Sequence, residues 1–409
     1  MRRAVWILAT AAACGGGSHA APSDGAPDSA AADGPGSQCQ PIGAIGSFYR
    51  REPDPRLVAG RSFQDGRIEV AIADPDLHWD ATGQTWQLYY HGPRATSYSA
   101  PNTQTITHAT SPDLATWTVQ DAPALAVNPD PSAWDHTNTE TPTVVENPDA
   151  TPDHRYLLLY SGASGELGTT GILNYNIGAA FSADGVTFTR VAAADSPHGK
   201  DGLVLTGGDA YPSATEALVA DPELAYVAGT YHAWFSSYAC NGAPCTASDY
   251  GIGHATSTDG IHWSVDAAPI RSLLRATIDP TSGGGQPSVI YDAPHCRWEM
   301  WLHSDLTGED SAQPVQFNNM AGVWHATSND GSTWTIQYSS VRDLAWMQSE
   351  TSEDLGLLTG ADVAANGDGR YLVYVGFTDQ NVPNGFLLPT ASGTTAGVMA
   401  LSLATRDAP

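Results

Sequence analysis

The stretch "HATSTDGIHWS", residues 254–264, decides the fold because it recurs. "HATSNDGSTWT" stands at 325–335, "HATSPDLATWT" at 108–118, and a degraded copy, "AAFSADGVTFT", at 179–189. The serines of the four copies, Ser111, Ser182, Ser257 and Ser328, lie 71, 75 and 71 residues apart. Self-similarity at a fixed period marks a repeat architecture. About 70 residues holds roughly four strands of five to six residues with their turns.

The surroundings of each copy follow one order. A short apolar run led by a proline comes first: "ADPDLHW" (73–79), "ETPTVVE" (140–146), "ADPELAYV" (220–227) and "GQPSVIYD" (285–292). An aromatic run follows: "TWQLYYHG" (85–92), "RYLLLYSG" (155–162), "TYHAWFSS" (230–237) and "RWEMWLHS" (297–304). The recurring phrase then supplies a third strand, a turn and the start of a fourth. Period-2 alternation of β-branched and aromatic residues predicts strands throughout. A fifth unit is partial: "GADVAANGDGRYLVYVGFT" (360–378) gives two strands and "GVMALSLAT" (397–405) a third. An open sheet edge needs a partner, and "AIGSFYRRE" (44–52) is free to supply it. The expectation is all-β: a five-bladed β-propeller, four antiparallel strands per blade, with an N-terminal strand closing the last blade. Within the phrase, Asp-Gly suits a tight turn. Trp117, Phe188, Trp263 and Trp334 are expected to fill the gaps between blades, and His108, His254 and His325 to pack on the third strands.

The 409 residues carry a formal charge of −27, which disfavours nucleic acid and anionic membrane surfaces as partners. Glycine (41) and proline (28) abound while Lys and Arg total 17, as in turn-rich all-β chains. Residues 1–14, "MRRAVWILATAAAC", read as a secretory signal too short to span a bilayer. Ala12-Ala13-Cys14 resembles a bacterial lipoprotein box, with ordinary cleavage as the alternative, so export with a lipid anchor at Cys14, or secretion, is expected. Residues 15–38 have almost no large apolar side chain and read as a disordered tether, leaving 39–409 for the propeller. Cys240 and Cys245 flank the turn "NGAP" and are expected to pair, which leaves Cys39 with Cys296.

Chemistry is sought where the repeats differ. The residues before the strand-leading prolines are Asp74, Thr141, Asp221 and Gln286, with Glu140 one step earlier and Asp362 near the equivalent place in the fifth unit. In a propeller these ends converge, so blades one to three bring carboxylates to one mouth. Crowded carboxylates repel, and at least one pKa should rise. A protonated acid beside an ionised one is what glycoside cleavage uses.

In these motifs the chain resembles the five-bladed propeller glycosidases of glycoside hydrolase families 43 and 32. "ADP" at Asp74 is similar to their first-blade Asp motif, "ETP" at Glu140 to their general-acid Glu motif, and "ADP" at Asp221 to their other Asp-Pro motif. The resemblance implies that Asp74 is the base or nucleophile, that Glu140 is the acid and that Asp221 orients the sugar. Those families run Asp, Asp, Glu; this chain runs Asp, Glu, Asp, with Glu216 upstream as an alternative acid. The bland reading of each is a turn residue that starts a strand. Trp79 and Trp134 are candidate sugar platforms, His136 and Gln286 further contacts, and His91 and Arg94 residues that could line the cleft. No Gly-x-Ser-x-Gly elbow, phosphate loop or paired-Cys zinc pattern occurs. A carbohydrate substrate, no cofactor and a monomer are expected, with an axial metal ion left open. The rival expectation is a non-catalytic propeller that binds glycan or protein at the same mouth.

Overall fold

The computed structural model describes residues 39, 49–50, 57–97, 100, 102–166, 174–241, 247–266, 285–303, 322–336, 344–345, 359–366, 369–378, 386–390 and 393–406. The signal, Cys14 and the tether expected within residues 1–38 lie outside them, as does Cys245.

The chain folds as an all-β propeller. Among the described residues helix is confined to one four-residue turn, Gly207–Ala210, and two three-residue 3-10 segments. After β1 (Tyr49–Arg50) come β2 (Ala73–Asp80), β3 (Thr85–His91), β4 (Thr105–Ser111) and β5 (Thr118–Val119), which form one antiparallel sheet in that order. The plan repeats in β6 (Asn138–Glu146), β7 (Tyr156–Ala163), β8 (Asn176–Ser182) and β9 (Thr189–Arg190). It repeats again in β10 (Glu216–Val227), β11 (Thr230–Asn241), β12 (Ala247–Ser257) and β13 (Ser264–Val265). A further copy is β14 (Gly285–Asp292), β15 (Arg297–His303), β16 (Gly322–Ser328) and β17 (Thr335–Ile336). The sheet of β18 (Thr359–Asn366), β19 (Gly369–Thr378) and β20 (Gly393–Arg406) takes its outer strand from the other end of the chain. There β1 lies antiparallel to β20, with Tyr49 opposite Thr405.

Apolar side chains are buried between neighbouring sheets rather than within one. Tyr89 and Ile106 of the first sheet share a core with Leu158, Tyr160 and Phe188 of the second. Leu157 and Phe181 of the second join Leu224 and Phe235 of the third. Trp234 joins Met300 and Trp334 of the fourth, while Ala364 and Val373 of the last join Leu77 and Leu88 of the first. Phe188 and Trp334 thus fill gaps between sheets as expected, and Trp117 and Trp263, partly buried, pack against the cores shared by the last and first and by the second and third sheets.

The recurring phrase is a self-capped turn. The carboxylate of Asp113 accepts the N–H groups of Ala115 and Thr116, and Asp184, Asp259 and Asp330 accept the same two positions in their copies. This Asx arrangement makes the tight turn expected at Asp-Gly. The following residue has positive φ, 71°, 75° and 77° at Gly185, Gly260 and Gly331, and Leu114 holds it at 62° because its side chain is sunk in the first core. The histidines are buried packing residues with polar partners: His108 meets Gln87, His254 meets Asp266 and His325 meets Glu299.

The inner strands β2, β6, β10, β14 and β18 are sheet edges, so their outward N–H groups need acceptors. Side chains supply them in a closed circuit. Asp76 on β2 accepts from Val144 N–H at 3.1 Å, Thr143 on β6 from Leu224 at 3.1 Å, and Glu223 on β10 from Val289 at 3.1 Å. Ser288 on β14 accepts from Val363 at 2.9 Å, and Asp362 on β18 accepts from Leu77 at 2.6 Å, back on β2. Each inner strand also carries a register shift beside this ring, at Ala73/Asp76, Glu140/Thr143, Ala220/Glu223, Gly285/Ser288 and Thr359/Asp362.

Candidate active site

The residue before each strand-leading proline sits in the left-handed region: φ is 47° at Asp74, 48° at Thr141, 49° at Asp221 and 45° at Gln286. Non-glycine residues rarely adopt it, and four repeats of the same strain mean that the surroundings hold it. The holding groups are visible. Ser161 on β7 accepts the Asp221 N–H at 2.8 Å, and Ser236 on β11 accepts the Gln286 N–H at 2.8 Å. The bulge turns these side chains toward the axis. Asp74, Thr141, Asp221, Gln286 and Asp362 line one small cavity of about 40 Å³ there.

Glu140 precedes its bulge and reaches the same place from β6. Its carboxylate is buried, accepts the Tyr175 hydroxyl on one oxygen and leaves the other, Oε2, without a hydrogen-bond partner. Asn138 donates to the Tyr175 oxygen at 3.4 Å. His91, at the end of β3, stands between the two acids: its Nδ1 is 3.9 Å from Asp74 Oδ2 and 3.7 Å from Glu140 Oε2. The facing oxygens are therefore no further apart than these two legs laid end to end, about 7.6 Å.

Burial and crowding raise several of these groups. Burial pushes the Asp74 carboxyl well above its usual range, and the Glu140 and Asp221 charges push it further. Asp221 rises to about 6, through burial first, against a hydrogen bond from Ser236. Burial and then Glu140 raise the Tyr175 hydroxyl, keeping it a donor. Deeper on the axis, burial raises Glu223 and brings Asp362 to about 7.

The structure brings Asp74, Glu140, Asp221 and Gln286 together and places the other candidates elsewhere. Trp134 is buried: it stacks on Tyr160 with ring centres 5.9 Å apart and donates its indole N–H to the Asp201 carbonyl at 2.8 Å. That is a core position, because Gly162 leaves room for the indole and a side chain there would collide with it. His136 is half-buried and bonds the Ala133 carbonyl in its own turn at 2.7 Å. Trp79 lies five residues along β2 from Asp74, roughly 16 Å of strand toward the opposite end, where it packs edge-on against Trp86. Glu216 starts β10 opposite Cys240, five residues before Asp221 and so a similar length of strand from the mouth. Arg94 turns away, its guanidinium 3.4 Å over the Phe63 ring. Tyr175 carries no repeat signature and lies between strands, so the periodicity did not single it out; His91 stands where β7 and β11 have Ser161 and Ser236.

Cys39 is bonded to Cys296, 257 residues away, as elimination suggested, and Cys240 is disulfide-bonded too.

No family model and no curated protein matches the chain. Solved structures do. A thermostable family-43 glycoside hydrolase is 14% identical, covering 85% of this chain and 91% of that one at TM-score 0.51. A family-130 structure, from a family described as containing hydrolases of β-1,2 mannosidic linkages in Candida mannan, is 12% identical over 90% and 96% at TM-score 0.55. An N-acetylgalactosamine deacetylase from F. plautii, in complex with blood group B trisaccharide, is 13% identical over 88% and 95% at TM-score 0.53. At these identities the likeness is one of fold, and the chain shares the β-propeller on which glycoside hydrolases are built.

Proposed function

We propose that the protein hydrolyses O-glycosidic bonds of poly- or oligosaccharides at the axial mouth of a five-bladed propeller, with Asp74 and Glu140 as the carboxyl pair. The five-blade reading is supported by the closed circuit of side-chain bonds through β2, β6, β10, β14 and β18. One observation carries the chemistry: two acids from different sheets face one buried imidazole across a few ångströms. Asp74, kept protonated by burial and by its acidic neighbours, donates to the leaving oxygen. Glu140, steadied by the Tyr175 hydroxyl, is the base or nucleophile. That exchanges the roles implied by the resemblance, in keeping with the exchanged order of the motifs. Asp221 and Gln286 orient the sugar. Export with a tether at Cys14, and action as a monomer, belong to the same proposal.

The small axial cavity favours a second reading, a propeller that binds glycan at this mouth without cleaving it. The test is a screen of aryl glycosides and plant polysaccharides with the wild type, Asp74→Asn and Glu140→Gln. If Asp74 is the acid, Asp74→Asn spares substrates with good leaving groups while Glu140→Gln slows all of them. The opposite pattern restores the roles the resemblance implies. Equal turnover by all three proteins removes both acids from the mechanism, and binding without turnover supports the second reading.

A further inference from the structure

We propose that His91 is a positioning residue that makes Asp74, His91 and Glu140 one site holding a single shared proton. This rests on the two-carboxylate reading and adds how the pair is loaded. The His91 ring is buried, with 3% of the residue exposed. Its Nε2 meets the amide oxygen of Gln104, whose own NH₂ donates to Asn102 Oδ1 at 3.0 Å. An amide oxygen only accepts, so this partner places a proton on Nε2. In the neutral ring Nδ1 then presents a bare lone pair. That lone pair faces Asp74 Oδ2 from β2 and Glu140 Oε2 from β6, at 3.9 and 3.7 Å. Three acceptors pointed at one another repel unless a proton lies among them. Glu140 Oε2 has no other partner to relieve it. Beyond the trio, Tyr175 and Asp221 face the carboxylates rather than the ring.

The consequence is a general acid loaded within the protein. The proton moves as H⁺ alone, between Asp74 Oδ2, His91 Nδ1 and Glu140 Oε2, with no other bond made or broken. Because its affinity for the trio sums over three places, deleting one place weakens proton retention. The neighbouring repeats show which replacement the fold accepts: serine occupies this position on β7 and β11 and accepts the next strand's N–H.

His91→Ser should move the alkaline limb of kcat/KM for an unactivated glycoside to lower pH, by about 0.2 unit where the three places share the proton equally and by more where His91 holds most of it, whereas a merely structural role lowers activity equally at every pH. An unmoved limb overturns the proposal. A second readout needs no turnover. In ¹⁵N-resolved spectra of the whole protein the neutral His91 ring should carry its proton on Nε2. Glu140→Gln should let the ring lose its second proton at lower pH than in the wild type, because it removes a neighbouring negative charge. A neutral ring protonated on Nδ1, or one indifferent to that substitution, overturns the proposal. Should His91→Ser not fold, Gln104→Met at the half-buried partner tests the same tautomer: the Nε2–H form should lose its dominance, and its persistence overturns the argument. Loss of turnover in Asp74→Asn and Glu140→Gln with an unmoved limb in His91→Ser defeats this proposal alone. Turnover indifferent to both acid substitutions defeats the two-carboxylate reading, while the spectra still decide the tautomer.

Discussion

Ser288→Ala breaks the axial circuit at one link. The Ser288 hydroxyl accepts the Val363 N–H at 2.9 Å and donates to Asp362 Oδ1 at 2.6 Å, and the residue is 1% exposed. Alanine leaves a buried backbone N–H without an acceptor, which costs about 1–3 kcal/mol, and removes one more hydrogen bond worth about 1 kcal/mol. The sum is about 2–4 kcal/mol. For a cooperative domain of about 350 residues, 1 kcal/mol corresponds to roughly 1–2 °C in Tm. The variant should therefore melt about 3–6 °C below the wild type in calorimetry at neutral pH. Ser132→Ala is the control: its hydroxyl also bonds a carboxylate, Asp130 at 2.7 Å, but on the exposed surface. It should stay within about 0.5 kcal/mol of the wild type. Indistinguishable melts for the two variants would refute the claim that these bonds satisfy otherwise orphaned strand edges.

Asp362 is held at about 7 by burial and by Asp76, so the native state keeps a proton there that the unfolded chain has shed above about pH 4. Stability from this group falls as pH rises from about 4 to 7, and Asp362→Asn should flatten the slope of urea-unfolding free energy across that window. Asp135 is fully buried and accepts Arg190 Nε at 2.7 Å and the Tyr160 hydroxyl at 2.9 Å. Asp135→Asn strands the arginine and should cost about 3–5 kcal/mol in chemical denaturation. Asp74→Asn and Glu140→Gln should each lower kcat on an unactivated glycoside by about 10²–10⁴-fold with the melting curve preserved.

The sequence carried the architecture because a propeller is periodic: the same turn, the same proline and the same aromatic run mark each sheet. It carried the meeting of Asp74, Glu140 and Asp221 for the same reason, since residues one period apart share a height on the axis. What it hid depends on local packing. Trp134 looks like a platform in "SAWDHTNTE", yet the absent side chain of Gly162 opens a slot that takes the indole inward. Trp79 shares a strand with Asp74, but strand rise separates them by the depth of the sheet. Tyr175, whose hydroxyl bonds Glu140, lies between strands where no period marks it. Leu114 reads as a mismatch in a glycine position until its side chain is seen in the core.

The pairing of β1 with β20 has a consequence for biogenesis. β1 waits for a strand made about 350 residues later, so Tyr49 finds its register only when Thr405 has been made. Until then assembly must proceed as an open crescent, and any product truncated before residue 393 lacks β20 altogether. Such a fragment would offer naked sheet margins on both sides of the gap, a template for adhesion between copies that the closed molecule never presents.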